Sequence, residues 1–258
     1  MLDVHAENGI LTLTFNRPEA KNSLSIEVIE TLTASLKNAA TDDSTRVVIL
    51  TGAPPLFTSG MDVKVFVNWR EPENLALLKY KVPDMFHTFI DFPKPIICAV
   101  NGMGVGYGAT ILGICDFVIM AESAKISAPF AKLGIVPEAC ATHTFPRLMG
   151  RQAANWFLTS GEWMSAQACK DAGLAMEVVA DDALMDVAMK RAQTLSANSL
   201  TTLMETKKMI TDPWRQELHE ANRLEMQRLV EFLDGPACAE GVKAFFEKRA
   251  PDFISASL

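Results

Sequence analysis

The sequence predicts an α/β fold that ends in a helical region, and two observations lead to this prediction. In the first part of the 258-residue chain, short apolar runs rich in Val and Ile recur, followed by glycine-containing turns and helical periodicity. From about Ser165 onward the periodicity is helical. No linker rich in Gly and Ser separates these parts, so the helices should dock on the α/β core or on a neighbouring subunit. We predict a core at residues 1–195 and a helical region at residues 196–258.

Four segments of the core are predicted strands. Residues 10–15 alternate threonine with apolar residues, which is the period of a half-buried strand. The other three, which are short and mainly apolar as in buried strands, are residues 46–51, 96–100 and 116–121.

Helices are predicted from capping residues and periodicity. Ser25 can cap the first helix. The apolar face of this helix consists of Ile26, Ile29, Leu32 and Leu36. Residues 66–92 have weaker periodicity, and we interpret their aromatic side chains as core packing in preference to substrate contacts. In the C-terminal region the predicted helices are residues 166–172, 183–195, 199–210, 213–233 and 237–248.

The composition disfavours several classes of protein. A net charge of -7 argues against nucleic acid as the main partner, because phosphate backbones are bound by clusters of Lys and Arg. The five cysteines are widely spaced without a C-x-x-C pair, which predicts buried thiols in a reducing compartment and no metal site. Acidic residues near the start do not fit a signal peptide, and the end lacks the basic residue of a peroxisomal S-K-L address. We therefore expect a cytoplasmic protein.

Residues 95–115 are the least polar stretch and resemble a membrane span in a hydropathy window. Their five glycines would weaken a continuous helix. We predict instead a buried strand, a glycine-rich turn and a buried helix, and hence no membrane association.

Two glycine-containing segments are the candidate sites of chemistry. They are F-T-S-G-M-D at residues 57–62 and N-G-M-G-V-G-Y-G at residues 101–108, and each follows a predicted strand. Because glycine permits close approach and unusual dihedral angles, backbone N–H groups in such turns can face a ligand.

These motifs, in this order and spacing, resemble the crotonase (enoyl-CoA hydratase/isomerase) family. The resemblance covers nearly the whole chain and includes N-R-P at residues 16–18, A-V-N-G at 99–102 and F-F-E-K-R-x-P-x-F at 245–253. It implies a crotonase-like spiral of repeated ββα units and an acyl-CoA thioester substrate. CoA would be part of this substrate, so no separate cofactor is expected. The resemblance also implies a homotrimer or a dimer of trimers, with residues 196–258 as the trimerisation region.

The family resemblance further implies an oxyanion hole made of two backbone N–H groups. Met61 and Tyr107 stand at the positions whose N–H groups bind the thioester oxygen in relatives. The loss of one such donor costs roughly 10²- to 10³-fold in rate. Tyr107 also opens the predicted helix, whose dipole favours the developing negative charge.

The type of reaction depends on the carboxylates. Family hydratases use two glutamates, whose positions are Thr110 and Phe130 here, and neither side chain can act as an acid or base. The segment L-G-I-V-P-E at residues 133–138 resembles instead the Δ3,Δ2-enoyl-CoA isomerase branch, which uses one glutamate, here Glu138. Its apolar neighbours are expected to raise its pKa toward the working pH. His143 has no partner that the sequence identifies, so we interpret it as structural.

The resemblance also implies contacts to the CoA moiety. These are expected from Ala20 and Lys21, and from Phe245 and Lys248 of a neighbouring subunit. The segment beside the adenine consists of Ser59, Gly60, Met61, Asp62 and Val63.

Other interpretations remain open from the sequence. The chain could be an enoyl-CoA hydratase or another lyase or hydrolase of the family, including one in which a carboxylate at position 138 is a nucleophile. Residues 104–109 also satisfy the pattern G-x-G-x-x-A, with Glu122 downstream, as in an NAD-binding oxidoreductase. A non-catalytic acyl-CoA-binding scaffold would retain the fold but lack the base.

Overall fold

The computed structural model describes residues 1–256, in which strands and helices alternate through the first part of the chain and helices follow. The strands are β1 (Leu2–Glu7), β2 (Ile10–Phe15), β3 (Val47–Gly52), β4 (Ile96–Val100), β5 (Met103–Val105), β6 (Phe117–Ala121), β7 (Lys125–Ser127), β8 (Trp163–Ser165) and β9 (Glu177–Val179). The helices are α1 (Ile26–Thr41), α2 (Val63–Val67), α3 (Pro72–Ala76), α4 (Val82–Asp91), α5 (Tyr107–Thr110), α6 (Ala141–Met149), α7 (Arg151–Ser160), α8 (Ala166–Asp171), α9 (Leu184–Ser196), α10 (Leu200–Phe232), α11 (Pro236–Phe246) and α12 (Phe253–Ala256). The predicted α/β fold with a helical C-terminal region is confirmed.

Two sheets organise the core. The main sheet has the order β1-β2-β3-β4-β6-β9, in which only the β1–β2 pair is antiparallel. The smaller sheet has the order β5-β7-β8. The chain therefore passes from the main sheet to the smaller one after both β4 and β6. Because parallel strands end at the same edge of a sheet, the segments that follow β3 and β4 lie side by side.

The centre of the main sheet is buried because helices cover it. All residues of β3 and β4 are buried, and α9 packs across β3, β4 and β6. Helix α1 begins as predicted, since the Ser25 hydroxyl accepts a hydrogen bond from the Val28 N–H at 3.3 Å. Of its predicted apolar face, Ile29, Leu32 and Leu36 are fully buried.

The predicted break at Pro213 is wrong, because α10 runs continuously through this residue. Proline lacks an N–H and costs a helix about 3 kcal/mol in an interior position. The C-terminal part of α10 buries one face against α4 and α6, with Leu218, Met226 and Leu229 in the interior. This packing offsets the lost hydrogen bond.

Several elements have no counterpart among the predicted ones. Strand β9 lies within the part of the chain that was predicted to be helical. Strand β1, the three short strands of the smaller sheet, and helices α6 and α7 are also additional. The short strands span three residues each, which is too few for a period to be recognised.

The C-terminal helices pack on the core of their own chain. Helix α10 contacts α4 and α6, α11 contacts α2, and Met226 and Leu229 belong to the same apolar core as the main sheet. The boundary after residue 195 and the role in trimerisation stay predictions. Among residues 1–256, no helix combines the length and the apolar character needed to cross a bilayer.

A buried lysine stabilises the end of α1, and its replacement gives a test of the fold. The Lys94 side chain is 1% exposed, and its ammonium donates to the carbonyls of Ala39 at 2.6 Å and Asp42 at 2.8 Å. Lys94→Met leaves both carbonyls without this donor, so we expect the free energy of unfolding to fall by about 1–3 kcal/mol. Urea denaturation measures this change, with exposed Lys79→Met as control. Equal midpoints for both variants would contradict the prediction.

Candidate active site

A cavity of about 1020 Å³ lies beside the segments that follow β3 and β4. Much of its apolar wall comes from three helices, through Val82 and Phe86 of α4, Met226 and Leu229 of α10, and Phe245 of α11. Elements from distant parts of the chain thus enclose one space large enough for a small-molecule ligand.

Backbone hydrogen bonds hold the two glycine-containing segments together. Thr58 N–H donates to the Met103 carbonyl at 3.2 Å, and Val105 N–H donates to the Thr58 carbonyl at 3.0 Å. This contact brings Gly60, which has φ +75°, against the start of α5. A Cβ atom on Gly60 would lie 2.4 Å from the Val105 oxygen and 3.2 Å from the Tyr107 nitrogen. Only glycine fits this approach.

The N–H groups of Met61 and Tyr107 are free of protein acceptors within residues 1–256, and both residues line the cavity. The neighbouring groups are used, since Leu24 N–H donates to the Gly60 carbonyl and Gly106 N–H donates to the Ser127 carbonyl. Tyr107 is the first residue of α5, where an N–H has no acceptor in its own helix. The structure thus brings the two predicted donors to one cavity, on adjoining segments.

Glu138 lines the same cavity, although it is only 8% exposed. The Thr110 hydroxyl, on α5, donates to Glu138 Oε1 at 2.6 Å and also lies 3.1 Å from the Gly106 carbonyl oxygen. Burial raises the pKa of Glu138 to about 8, the Thr110 hydrogen bond opposes this shift, and the charge of Glu225 adds to it. The predicted upward shift is confirmed in direction.

The residues predicted to contact CoA lie around the cavity with two exceptions. Those that line it are Ala20, Lys21, Ser59, Met61, Asp62, Val63 and Phe245. Gly60 lies behind the lining, against Tyr107. Lys248 is exposed and does not line the cavity of its own chain. The contribution of Phe245 and Lys248 to a neighbouring subunit's site stays a prediction.

Sequence reasoning missed part of the site. For residues 66–92, core packing was preferred to substrate contacts, yet Phe86 is both buried in the core and part of the cavity wall. The hydrogen bond from Thr110 to Glu138 and the proximity of Glu225 were also missed. No sequence pattern signals these contacts, because they join residues on separate elements. His143 does not line the cavity and lies 3.5 Å from Glu217, as suits a structural residue.

The structure does not have the strand order that the dinucleotide-binding alternative requires. The strand before Gly106 is the short β5 of the smaller sheet, and the order of the main sheet follows the chain without the reversal at which dinucleotides bind.

The comparison with known proteins shows the family of this chain. The family model described as enoyl-CoA hydratase/isomerase matches residues 5–256. The chain belongs to this family.

The relatives of this chain within the enoyl-CoA hydratase/isomerase family are named for different activities. Over 95% of its own length, this chain is 32% identical to rat (Rattus norvegicus) enoyl-CoA delta isomerase 2. The match spans 63% of the rat protein. It is 35% identical to the 1,2-epoxyphenylacetyl-CoA isomerase of Escherichia coli K12, with 96% of each chain covered. The 2,3-dehydroadipyl-CoA hydratase of the same bacterium is 32% identical over 98% of both chains. The two isomerases and the hydratase thus have nearly the same sequence identity to this chain.

A solved structure of the enoyl-CoA hydratase/isomerase family confirms the crotonase-like fold. The enoyl-CoA hydratase/isomerase of Pseudoalteromonas atlantica T6c superposes with a TM-score of 0.91 at 33% identity. The match covers 98% of this chain and 99% of that one. As a member of the family, the protein is an acyl-CoA enzyme.

Proposed function

We propose that the protein is a Δ3,Δ2-enoyl-CoA isomerase that shifts a C3 double bond to C2 with Glu138 as its acid and base. One observation carries this proposal: Glu138 is the buried carboxyl group among the described residues that line the cavity, beside two unoccupied N–H donors. The other lining carboxyl groups, of Glu19 and Asp62, are in more exposed positions.

The two N–H groups make the removal of the C2 proton feasible. A thioester α-proton is too weakly acidic to leave at neutral pH unless the enolate oxygen is stabilised. The N–H groups of Met61 and Tyr107 would bind this oxygen, and preorganised donors of this kind stabilise charge that develops in the transition state. Glu138 takes the proton from C2 and returns it at C4, so that the double bond moves without net gain or loss of atoms.

Thr110 can hold Glu138 in both protonation states. When Glu138 is ionised, the Thr110 hydroxyl donates to Oε1 at 2.6 Å. When Glu138 carries the proton on Oε1, the hydroxyl can accept from it and turn to donate to the Gly106 carbonyl, 3.1 Å away. Position 110 is where the family's hydratases are expected to have a glutamate, so the chain has a positioning hydroxyl in place of a second acid.

The apolar wall supports a hydrocarbon acyl chain, because Val82, Phe86, Met226 and Leu229 offer it no hydrogen bonds. The CoA moiety would be bound by Ala20, Lys21 and the segment 59–63, and Phe245 and Lys248 of a neighbouring subunit would reach its phosphate. A homotrimer or dimer of trimers in the cytoplasm completes the proposal.

Two substrates test the reaction type. Incubation with 3-hexenoyl-CoA should produce the conjugated 2-enoyl thioester, seen as a rise in ultraviolet absorbance. Incubation with crotonyl-CoA should leave that absorbance unchanged, because water addition requires a second acid or base. Hydration of crotonyl-CoA without conversion of 3-hexenoyl-CoA would favour the hydratase alternative, which the name of the Escherichia coli hydratase relative raises.

The raised pKa of Glu138 predicts the pH profile of the isomerase. Only the ionised carboxylate can accept the C2 proton, and the protonated form predominates below a pKa of about 8. We expect kcat/KM to rise about tenfold per pH unit below this value and to level off above it. Thr110→Val removes the hydrogen bond that stabilises the carboxylate, so its midpoint should lie at higher pH. A wild-type midpoint near the ordinary value of 4.5 would contradict the prediction.

A further inference from the structure

The turn that follows Glu138 has an unusual backbone conformation. Ala139 and Cys140 both have φ +59°, in the left-handed region, and neither is glycine. Both residues are fully buried. For residues with a Cβ atom, this conformation costs roughly 1–2 kcal/mol each, so other contacts must hold it.

The contacts come from Glu225 on α10, which is 85 residues away from Cys140 in the chain. Glu225 Oε2 accepts from Cys140 N–H at 2.7 Å. Glu225 Oε1 accepts from Thr142 N–H at 2.9 Å and from the Thr142 hydroxyl at 2.5 Å. Cys140 and Thr142 are at the start of α6, where no side chain of the turn itself caps the helix. The Glu225 carboxylate therefore supplies the acceptors that this helix end requires.

Glu225 does not act on the substrate directly. It is 5% exposed, does not line the cavity, and has both oxygens occupied by the turn. Its helix is itself held in place, because the Cys140 thiol donates to the Leu218 carbonyl at 3.2 Å and α10 packs along α4. The carboxylate is thus a rigid anchor for the segment that begins at Glu138.

We propose that Glu225 is a positioning residue, which holds the left-handed turn at Ala139 and Cys140 so that the Glu138 carboxyl stays against Thr110 and faces the cavity. This inference rests on the proposed role of Glu138 as the acid and base. A displaced turn would leave substrate binding intact but misplace the base, and misplacement by about 1 Å can cost on the order of 10²-fold in rate.

Glu225→Gln tests this role with little change of shape. The amide can accept on one side only, so one N–H donor of the turn faces an NH₂ group. We expect kcat for 3-hexenoyl-CoA to fall by about 10- to 100-fold with KM unchanged. Glu220→Gln makes the same change on the exposed face of α10 and should have wild-type kcat and KM.

The pH profile separates positioning from a general loss of stability. The titratable groups that face Glu138 are Glu225 from α10, Cys140 from its own turn and Tyr107 from α5. In Glu225→Gln, loss of the Glu225 charge lowers the pKa of Glu138 and separation of Glu138 from Thr110 raises it, so the two effects on the midpoint of the kcat/KM profile oppose each other.

Thr142→Val removes one hydrogen bond but retains the Glu225 charge and both N–H contacts. It should therefore lower kcat by a smaller factor than Glu225→Gln, and the displacement of Glu138 from Thr110 should move the midpoint to higher pH, as in Thr110→Val. Thr142→Val tests the positioning role if Glu225→Gln does not fold.

Each outcome decides the proposal. Wild-type kcat in Glu225→Gln would overturn it, as would wild-type kcat with an unmoved pH profile in Thr142→Val if the first variant does not fold. If the wild-type enzyme does not convert 3-hexenoyl-CoA, the proposed function fails, and a crystal structure of the variant then tests the positioning role. Separation of the Glu138 carboxyl from Thr110 in that structure would support the role, and an unchanged hydrogen bond would overturn it.

Discussion

Replacing Glu138 by glutamine is expected to reduce kcat for 3-hexenoyl-CoA by about 10²- to 10⁴-fold, which is the usual contribution of a general acid or base. Glutamine has nearly the shape of glutamic acid and can still accept from the Thr110 hydroxyl. It cannot take a proton from C2 or return it at C4. The formation of the conjugated thioester, followed by absorbance, measures the effect.

Binding and folding must be measured in the same variant. The dissociation constant for an acyl-CoA should be unchanged in Glu138→Gln, since the thioester oxygen still meets both N–H groups. Glu162→Gln, at an exposed position outside the cavity, is the matched control and should have wild-type turnover. Near wild-type turnover in Glu138→Gln would remove this residue from the mechanism.

The second large effect is expected from Met61→Pro, which removes one of the two proposed oxyanion donors. Proline has no N–H, and the Met61 N–H donates to no protein acceptor within the described residues, so no structural hydrogen bond is lost. The preceding residue is Gly60, which has no Cβ to clash with the proline ring. We expect kcat to fall by about 10²- to 10³-fold relative to Met61→Ala.

Met61→Ala is the matched control because it also removes the thioether side chain but retains the N–H. Comparing these two variants isolates the contribution of the N–H group from that of the side chain. Circular dichroism and acyl-CoA binding establish that both variants are folded. Equal kcat values for the alanine and proline variants would mean that the Met61 N–H does not stabilise the enolate.

The features that were predictable from the sequence are local ones. The period of residues 10–15, the buried run at 96–100 and the cap at Ser25 each depend on neighbours within a few residues, and the structure confirms all three. The helical C-terminal region was predictable for the same reason. The short strands of the smaller sheet were not, since strands of three residues are specified by their partners in the sheet.

Pro213 illustrates the opposite case. The residue itself predicts a helix break, and only the tertiary structure decides otherwise. Packing of the later turns of α10 on α4 and α6 outweighs the single lost hydrogen bond. A sequence contains the local cost of proline but not the packing that offsets it.

The candidate site also has features that were predictable from the sequence and features that only the tertiary structure decided. The glycines at positions 60 and 106, the N–H groups that follow them and the glutamate at 138 were candidates from the sequence, because they stand in motifs that resemble those of the crotonase family. Only the tertiary structure placed Gly60 against Tyr107 and Thr110 against Glu138, and brought Glu225 to the turn that follows Glu138. These contacts join segments that lie far apart in the chain, and their free energy depends on distance and burial, which arise only when the elements pack together.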